Sequence, residues 1–405
     1  MSRLNEMIQE LCPDGVEYRP IKDCVESVEK IEWKKTDETY RYIDLSSVDR
    51  EDHIIGETIE IGADDAPSRA QQLVKENDIL LGTTRPMLKR YCQIPLEYDN
   101  QICSTGFCVL RANNIRVLSR WLYHMISTTA FFDYVDRTQH GSSYPAISDK
   151  EVKAYDIPIP PLPIQNEIVK LLDSFTELTA KLTAELVLRK KQYNFYRDSL
   201  LNFSQNASSV EWKTLREVSV HICSGGTPTA SNSAYYSGDI PWLRTQEVDW
   251  TDIYDTDVKI SEEGLKKSSA RWIPANCVIV AMYGATAAKV AINRIPLTTN
   301  QACCNMEINE NVATHKYVYH WVCSQYENLK SKGQGSQSNI NKKIIEEYPI
   351  PIPPLVVQQK IVSILDRFDA LCNDLTSGLP AEIAARKKQY EHYRDKLLTF
   401  PRSNG

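Results

Sequence analysis

The chain has 405 residues, too many for one ordinary domain, and its 42% hydrophobic and 25% charged residues are normal globular usage. A formal net charge of −6 excludes a histone-like binder that holds nucleic acid by bulk charge, so any basic footprint has to be local. Eleven cysteines, an odd number without a Cys-x-x-Cys pair, speak for reduced, partly buried thiols of a cytosolic protein rather than for disulfides or zinc.

The opening Met1-Ser-Arg-Leu-Asn-Glu-Met7 has no continuous apolar core, so a secretory leader is not expected. The most apolar run, Val278 to Ile292, is interrupted by Tyr283, Gly284, Thr286 and Lys289 and is too short to span a bilayer. A short amphipathic segment leads to the turn signal Pro13-Asp14-Gly15 and to Val16-Glu17-Tyr18. Val210-Glu211-Trp212 echoes that stretch, the first sign of a two-fold internal duplication.

Up to about residue 156 the pattern predicts short strands at Tyr40–Leu45 and Asp78–Leu81, a turn at Gly82-Thr83-Thr84-Arg85-Pro86 and a helix at Trp121–Ile126. The second half answers with strands at Ile240–Arg244 and Cys277–Val280, a turn at Tyr283-Gly284-Ala285-Thr286 and a helix at Tyr317–Val322. Asn300-Gln301 matches Asn100-Gln101. Short strands with one or two helices predict an α+β protein with two globular α/β domains in pseudo-two-fold repeat. Between these anchor points the halves share little sequence, so each has its own surface chemistry.

Each domain exits through Ile-Pro-Ile-Pro-Pro-Leu, at 157–162 and again at 350–355, where the prolines fix φ and forbid a helix. Helix follows. In the first copy Ile168, Leu172, Phe175, Thr179, Leu182, Leu186, Arg189, Tyr193, Tyr196, Leu200 and Phe203 alternate by four and three, a heptad seam. From Pro163 to Phe203 such a helix is about 60 Å long. The second copy repeats the seam with Ile361, Leu365, Phe368, Cys372 and Leu375, then Ile383, Arg386, Tyr390, Tyr393, Leu397 and Phe400. It carries four additional residues around Ser377-Gly378-Leu379-Pro380, which should break the helix. The first copy has the tandem Thr179-Ala-Lys-Leu182 and Thr183-Ala-Glu-Leu186 there. The seam most simply pairs the two copies as two long antiparallel helices in an intramolecular coiled coil; the alternatives are packing on each domain separately or dimerisation between chains. The expected domains are thus 1–156, a helical spacer 157–205, a second globular domain 206–348 and a C-terminal helical spacer 349–405.

Catalytic motifs are missing: the sequence has no phosphate loop, no Gly-x-Gly-x-x-Gly and no Asp/Asn-Pro-Pro-Tyr/Phe of amino-methyltransferases. Its seven histidines (53, 124, 140, 221, 315, 320, 392) show no metal-like pairing, so neither catalytic residue nor metal ligand is assigned. Binding features are better supported. Thr83, Thr84, Arg85, Lys89 and Arg90 around the first post-strand turn, and Tyr283, Thr286 and Lys289 around the second, suit phosphate contacts, the competing reading being ordinary strand-to-loop turns. The polar loops before the proline exits add Ser142, Ser143, Tyr144 and Lys150, and in the second half Ser336, Gln337, Asn339, Lys342 and Lys343. Amides and hydroxyls pair with base edges and lysines with phosphates. Arg244 and Gln246 complete the candidate DNA contacts. Finally, Arg189, Lys190, Tyr193, Tyr196 and Arg197 recur as Arg386, Lys387, Tyr390, Tyr393 and Arg394. They read either as a solvated helix face or as a docking site repeated for two identical partners, Tyr and Arg being typical anchors.

Two divergent domains, each leading through Ile-Pro-Ile-Pro-Pro-Leu into Gln-x-x-Ile-Val-x-x-Leu-Asp and ending in Arg-Lys-Lys-Gln-Tyr-x-x-Tyr-Arg-Asp-x-Leu-Leu, resemble the specificity subunit of a type I DNA restriction-modification system over essentially the whole chain. The tandem Thr-Ala-x-Leu units resemble the spacer repeats of the IC branch, and Ser224-Gly225-Gly226-Thr227-Pro228 with Ile240-Pro241-Trp242 resembles such recognition domains; the first domain lacks both. The resemblance implies that each target recognition domain reads one half of a bipartite, asymmetric target in double-stranded DNA and that the helices set the unread gap. Two modification subunits carrying S-adenosylmethionine would dock to form an adenine methyltransferase that flips its base. Restriction subunits, with ATP and Mg, would add cleavage. This chain would hold no cofactor of its own and supply the address. Two other classes compete with that reading: a one-chain methyltransferase or nuclease, against which the missing motifs speak, and a scaffold that captures modification subunits without reading sequence.

Overall fold

The computed structural model describes residues 2–203, 210–333, 339–374 and 376–403. Its helices are, in chain order, α1 (Ser2–Leu11), α2 (Ser119–Ile126), α3 (Thr129–Thr138), α4 (Asp149–Lys153), α5 (Leu162–Leu200), α6 (Glu262–Lys266), α7 (His315–Ser324), α8 (Tyr326–Ser331), α9 (Lys342–Glu346), α10 (Leu355–Asn373) and α11 (Leu379–Leu397). The chain forms two compact units, Met1–Thr183 with Glu382–Gly405, and Ala184–Ala381.

In the first unit the strand Ile79-Leu80-Leu81-Gly82 is buried throughout, as a continuous apolar run requires. It lies between Phe107–Ala112 and Tyr91–Gln93 in a four-stranded sheet that Val25–Glu26 completes. A second sheet orders Ile59–Ile61, Tyr40–Ile43, Ile102–Ser104 and Ala70–Leu73. The proline exit is more than extended chain: Asp156–Pro158 pairs antiparallel with Tyr18–Pro20, and the Pro158 carbonyl accepts the indole N–H of Trp121 at 3.1 Å.

Helix α5 starts directly behind that strand, with Pro163 in its first turn, where the missing N–H costs nothing. Gln165 is fully buried; its Oε1 accepts the Leu118 N–H at 3.0 Å and its Nε2 donates to the carbonyls of Arg116 and Pro160. Ile164, Ile168 and Leu172 enter the same core as α2 and α3, each burial contributing roughly 1.5–3 kcal/mol. The C-terminal copy closes this unit. Tyr390 and Leu397 of α11, with Leu398 and Phe400, join the core, and Tyr393 stacks on Phe175 at 5.5 Å. Beyond α11 the Val16 N–H donates to the Pro401 carbonyl at 2.9 Å. Gly15 has φ +90°, and a Cβ there would lie 2.5 Å from the Pro401 oxygen, so only glycine fits.

The second unit repeats these devices. A five-stranded sheet orders Ser219–Ser224, Cys303–Ile308, Val278–Ala281, Val290–Asn293 and Asp252–Ile253, and a three-stranded one Lys259–Ile260, Ile240–Leu243 and Thr298–Thr299. Glu211–Thr214 pairs with Pro349–Ile352. Gln358 of α10 is buried like Gln165, accepting the Thr314 N–H and donating to Val312 and Pro353. Here the end of α5 is the partner helix: Tyr193, Leu200 and Phe203 pack on the core and Tyr196 stacks on Phe368 at 5.4 Å. Each unit thus holds one helix from either copy, and their pairing occurs inside the units. The expected break is present, since α10 ends at Asn373 and α11 begins at Leu379. A Cβ at Gly378 would lie 2.6 Å from the Ala370 oxygen. Leu375 of the predicted seam lies outside the described residues. All eleven cysteines are free and buried.

Candidate nucleic-acid interface

In the first unit, loops that are about sixty residues apart in the chain become one structure. The Arg85 N–H donates to the Pro145 carbonyl at 2.7 Å and the Ile147 N–H to the Thr83 carbonyl at 3.0 Å, with Thr84 bridged to Ala146. Thr83 itself is turned inward: its N–H and its hydroxyl both donate to the Gly106 carbonyl at 2.8 Å. As a DNA contact it is therefore corrected to a staple of the fold. Arg85 (φ 49°) and Lys89 (φ 53°) are left-handed on either side of a 3-10 turn at Pro86–Leu88. Such non-glycine conformations cost about 1–3 kcal/mol each and persist only where neighbours hold them. Arg85 is exposed, with its guanidinium 4.6 Å from the centre of the exposed Tyr144 ring, while the Lys89 ammonium lies 5.0 Å from that of Phe132. The Arg90 Nε is buried without a hydrogen-bond partner among the described residues.

Ser142 and Ser143 are exposed on a loop that His140 and Ala146 close by reciprocal backbone bonds. Lys150 is exposed on α4, whose start is fixed by the Ser148–Glu151 capping box. Hydrogen bonds from Ser148 first, then from His140, hold the Glu151 carboxyl down at about 2. A third loop, missed from sequence, joins the two: the 3-10 turn Leu45–Ser47 presses the Leu45 side chain against Gly82 and Gly106, where a Cβ would lie 3.2 and 2.8 Å from it.

The second unit assembles the corresponding loops. The Ile340 N–H donates to the Met282 carbonyl at 2.9 Å, and Asn339 Oδ1 accepts the Gly284 N–H at 3.2 Å. The Thr286 hydroxyl donates to the Thr245 carbonyl at 2.8 Å, so it too is spent on loop assembly, whereas Tyr283 stays exposed. The cations here are tied to carboxylates: Lys289 to Asp249 at 2.5 Å, Arg244 to Glu247 at 3.4 Å, Lys342 to Glu346 at 3.2 Å and Lys343 to Glu347 at 3.7 Å. The exposed pair of Lys343 and Glu347 contributes only about 0–1 kcal/mol, so a phosphate can compete for that cation, whereas the carboxylates of Glu247 and Glu346 are largely buried. Gln246 is exposed beside Arg244. Ser336 and Gln337 lie outside the described residues. The Ser224–Pro228 motif works by packing: a Cβ on Gly225 would lie 2.0 Å from the Thr299 oxygen, and the Gly226 carbonyl accepts the Trp242 indole N–H at 2.9 Å.

The family model described as the type I restriction modification DNA specificity domain matches this chain twice, over residues 13–188 and 208–385. The chain belongs to the type I restriction-modification specificity subunits. It is 38% identical over 305 residues to the specificity subunit of the type I restriction enzyme EcoR124I/EcoR124II of Escherichia coli, covering 73% of this chain and 74% of that one. It is 32% identical to a putative type I specificity subunit of Haemophilus influenzae, covering 70% and 72%. In fold it is similar to a chain from a type I R-M system solved to show its complex assembly and conformational transition (TM-score 0.65, 22% identity, covering 95% of this chain and 98% of that one). It is also similar to the HsdS subunit of Thermoanaerobacter tengcongensis (TM-score 0.51, 22% identity, covering 97% and 99%).

In this specificity subunit the helical docking candidates divide sharply. Tyr193, Tyr390 and Tyr393 pack inside their own units and Arg394 is only 6% exposed, bonded to Asp395, so none of the four is a free anchor. Lys190 and Lys387 point to solvent; Arg189 and Arg386 are half-buried and paired to Glu185 and Glu382 one turn before them. Tyr196 is 39% exposed, and Arg197 pairs with Asp198.

Behind these faces lies a repeated network that sequence reading of the histidines did not find. His124 is fully buried, its Nε2 2.9 Å from an Asp173 oxygen that Arg120 also holds. Burial pushes the imidazole down from its usual range. Neutral His124 therefore donates from Nε2 to Asp173 and accepts at Nδ1 from the Tyr390 hydroxyl, 2.9 Å away. His320 meets Asp366 in the same way at 2.9 Å, with Lys316 in place of Arg120. Among the described residues no helix is long and apolar enough to cross a membrane, and no group of His, Cys, Asp or Glu is arranged to hold a metal.

Proposed function

We propose that each unit of this specificity subunit reads one half of a bipartite, asymmetric target in double-stranded DNA, in the cytoplasm, as the non-catalytic member of its complex. The observation that carries this reading is the recurrence of one loop assembly with different chemistry. In both units the post-strand turn is hydrogen-bonded to the loop before the proline exit, yet one presents Arg85 on Tyr144 and the other Tyr283, Arg244 and Gln246. Same scaffold and different side chains are what a reader of two unlike half-sites needs.

The second part of the proposal concerns the gap. One of the two places where the chain passes between the compact units is Thr183/Ala184, within the tandem Thr-Ala-x-Leu stretch, so a change in the length of that stretch is expected to leave either unit's interior intact. Two modification subunits, bringing S-adenosylmethionine, would dock on the helices and methylate adenine; restriction subunits, bringing ATP and Mg, would add cleavage. The test is methylome sequencing of a restriction-deficient host carrying this chain with its cognate modification subunit. N6-methyladenine at a single split motif with a fixed gap is the expected result. A stable complex that leaves the genome unmethylated would instead favour a scaffold that holds modification subunits without reading DNA.

A further inference from the structure

We propose that Asp44, oriented by Ser46, reads a base in the first recognition domain by accepting a hydrogen bond from the exocyclic amine of cytosine or adenine. The inference rests on the two-half-site reading above and names a residue within it. Tyr42 and Ile43 pair in parallel with Ile102 and Cys103; Trp242 and Leu243 pair in parallel with Thr298 and Thr299. Asp44 and Arg244 are thus the first residues to leave equivalent strands. Both are extended (φ −90°, ψ 169° and φ −106°, ψ 154°), and both are followed by a one-turn 3-10 helix and a buried valine, Val48 or Val248.

The likeness extends to the side chains. The Ser46 hydroxyl donates to Asp44 Oδ2 at 3.2 Å. In the second unit the residue two positions on plays the same part. With its amide turned so that oxygen faces the guanidinium, Gln246 accepts from both terminal nitrogens of Arg244 at 3.1 Å. Both turns touch the post-strand turn, Leu45 through Gly82 and Thr245 through the Thr286 hydroxyl. Asp44 and Arg244 therefore occupy one place in a repeated loop assembly with opposite charge. Arginine donates to guanine O6 and N7, whereas a carboxylate can only accept, which suits an amine. A carboxylate close to phosphates weakens binding to every sequence that lacks the amine, so it discriminates by rejection. The two half-sites then differ at the base each turn meets.

The test uses the assembled methyltransferase and, once its motif is known, duplexes in which each half-site position is replaced in turn. Wild-type complex should discriminate against loss of the amine by roughly tenfold or more at one position. Asp44→Ala should bring that ratio close to one there and leave the other half-site and the gap unchanged; Ser46→Ala should lower it less. Whether cytosine or adenine is read follows from the position that responds. Unchanged discrimination at every position in Asp44→Ala, or equal weakening on all duplexes by a complex that still assembles, would overturn the assignment. Asp44→Asn separates the cases further, since an amide that keeps the wild-type ratio shows that charge is not what reads the base. A wild-type complex that recognises no split motif would remove the underlying two-half-site reading instead.

Discussion

The Tyr390 hydroxyl lies 2.9 Å from Nδ1 of His124, whereas Nδ1 of His320, in the equivalent place of the second unit, is buried without a hydrogen-bond partner among the described residues. Both histidines are almost inaccessible and both rest on an aspartate of the spacer helix, Asp173 or Asp366. The two clamps are thus built alike but satisfied unequally. A buried hydrogen bond contributes about 0.5–1.5 kcal/mol, and leaving its acceptor unpaired costs about 1–3 kcal/mol.

Tyr390→Phe should therefore loosen α11 from the first unit by about 1–2 kcal/mol, and Tyr193→Phe should change the second unit little. Hydrogen exchange read over Leu379–Leu397 and over the end of α5 checks this: faster exchange is expected only in the first. Unchanged exchange over Leu379–Leu397 in Tyr390→Phe would show that the hydroxyl contact at His124 has no energetic weight.

The glycines of the Ser224–Pro228 motif make a prediction about recognition without contact. Gly225→Ala would place its methyl group 2.0 Å from the Thr299 oxygen and 2.2 Å from the Thr299 hydroxyl. Backbone has to move, at a cost of about 3 kcal/mol or more, comparable to severe overpacking. Gly284 has φ +81° with nothing among the described residues within 4 Å of the added carbon, so alanine there is expected to cost its backbone strain, about 1 kcal/mol. Urea unfolding of the two variants should separate by that margin, and only Gly225→Ala should lose the second half-site.

His53 supplies a pH dependence. Its ring stacks on Tyr91 at 3.8 Å, its Nδ1 is buried without a partner among the described residues, and burial first of all brings its pKa down to about 4. A base whose folded pKa is depressed is held neutral by the fold, so its full contribution is present above the unfolded value near 6.5 and falls as pH drops toward 4. The loss across that window is at most about 3 kcal/mol. His53→Phe keeps the stacking and should flatten the dependence between pH 6.5 and 4, measured as the urea midpoint of the first unit. A variant curve parallel to wild type would exclude His53 as its source.

Deleting Thr183 to Leu186 should shorten the unread gap and leave both half-sites intact. The unit removes about 6 Å of helix and slightly more than one turn, a change of translation and rotation that a shorter duplex spacing has to match. Methylome sequencing reads it directly: an unchanged gap, or an altered half-site, would count against α5 as the ruler.

The repeated Ile-Pro-Ile-Pro-Pro-Leu exits, the heptad seam and the break at Ser377–Pro380 are local patterns, and each appears in the fold where its spacing predicts it. Period and proline act over a few residues, so the strands, the long helix, the two-fold duplication and the family were legible in the sequence alone. What the tertiary structure decided is which polar groups remain free. Thr83 and Thr286 look like phosphate ligands until their hydroxyls are seen spent on Gly106 and Thr245. Tyr390 and Arg394 look like anchors until their surroundings are seen. Asp44 gives no signal until its place is compared with that of Arg244. For Thr83, Thr286 and Tyr390 the outcome depends on hydrogen-bond partners from 23 to 266 residues away, and no periodicity encodes a partner at such separation.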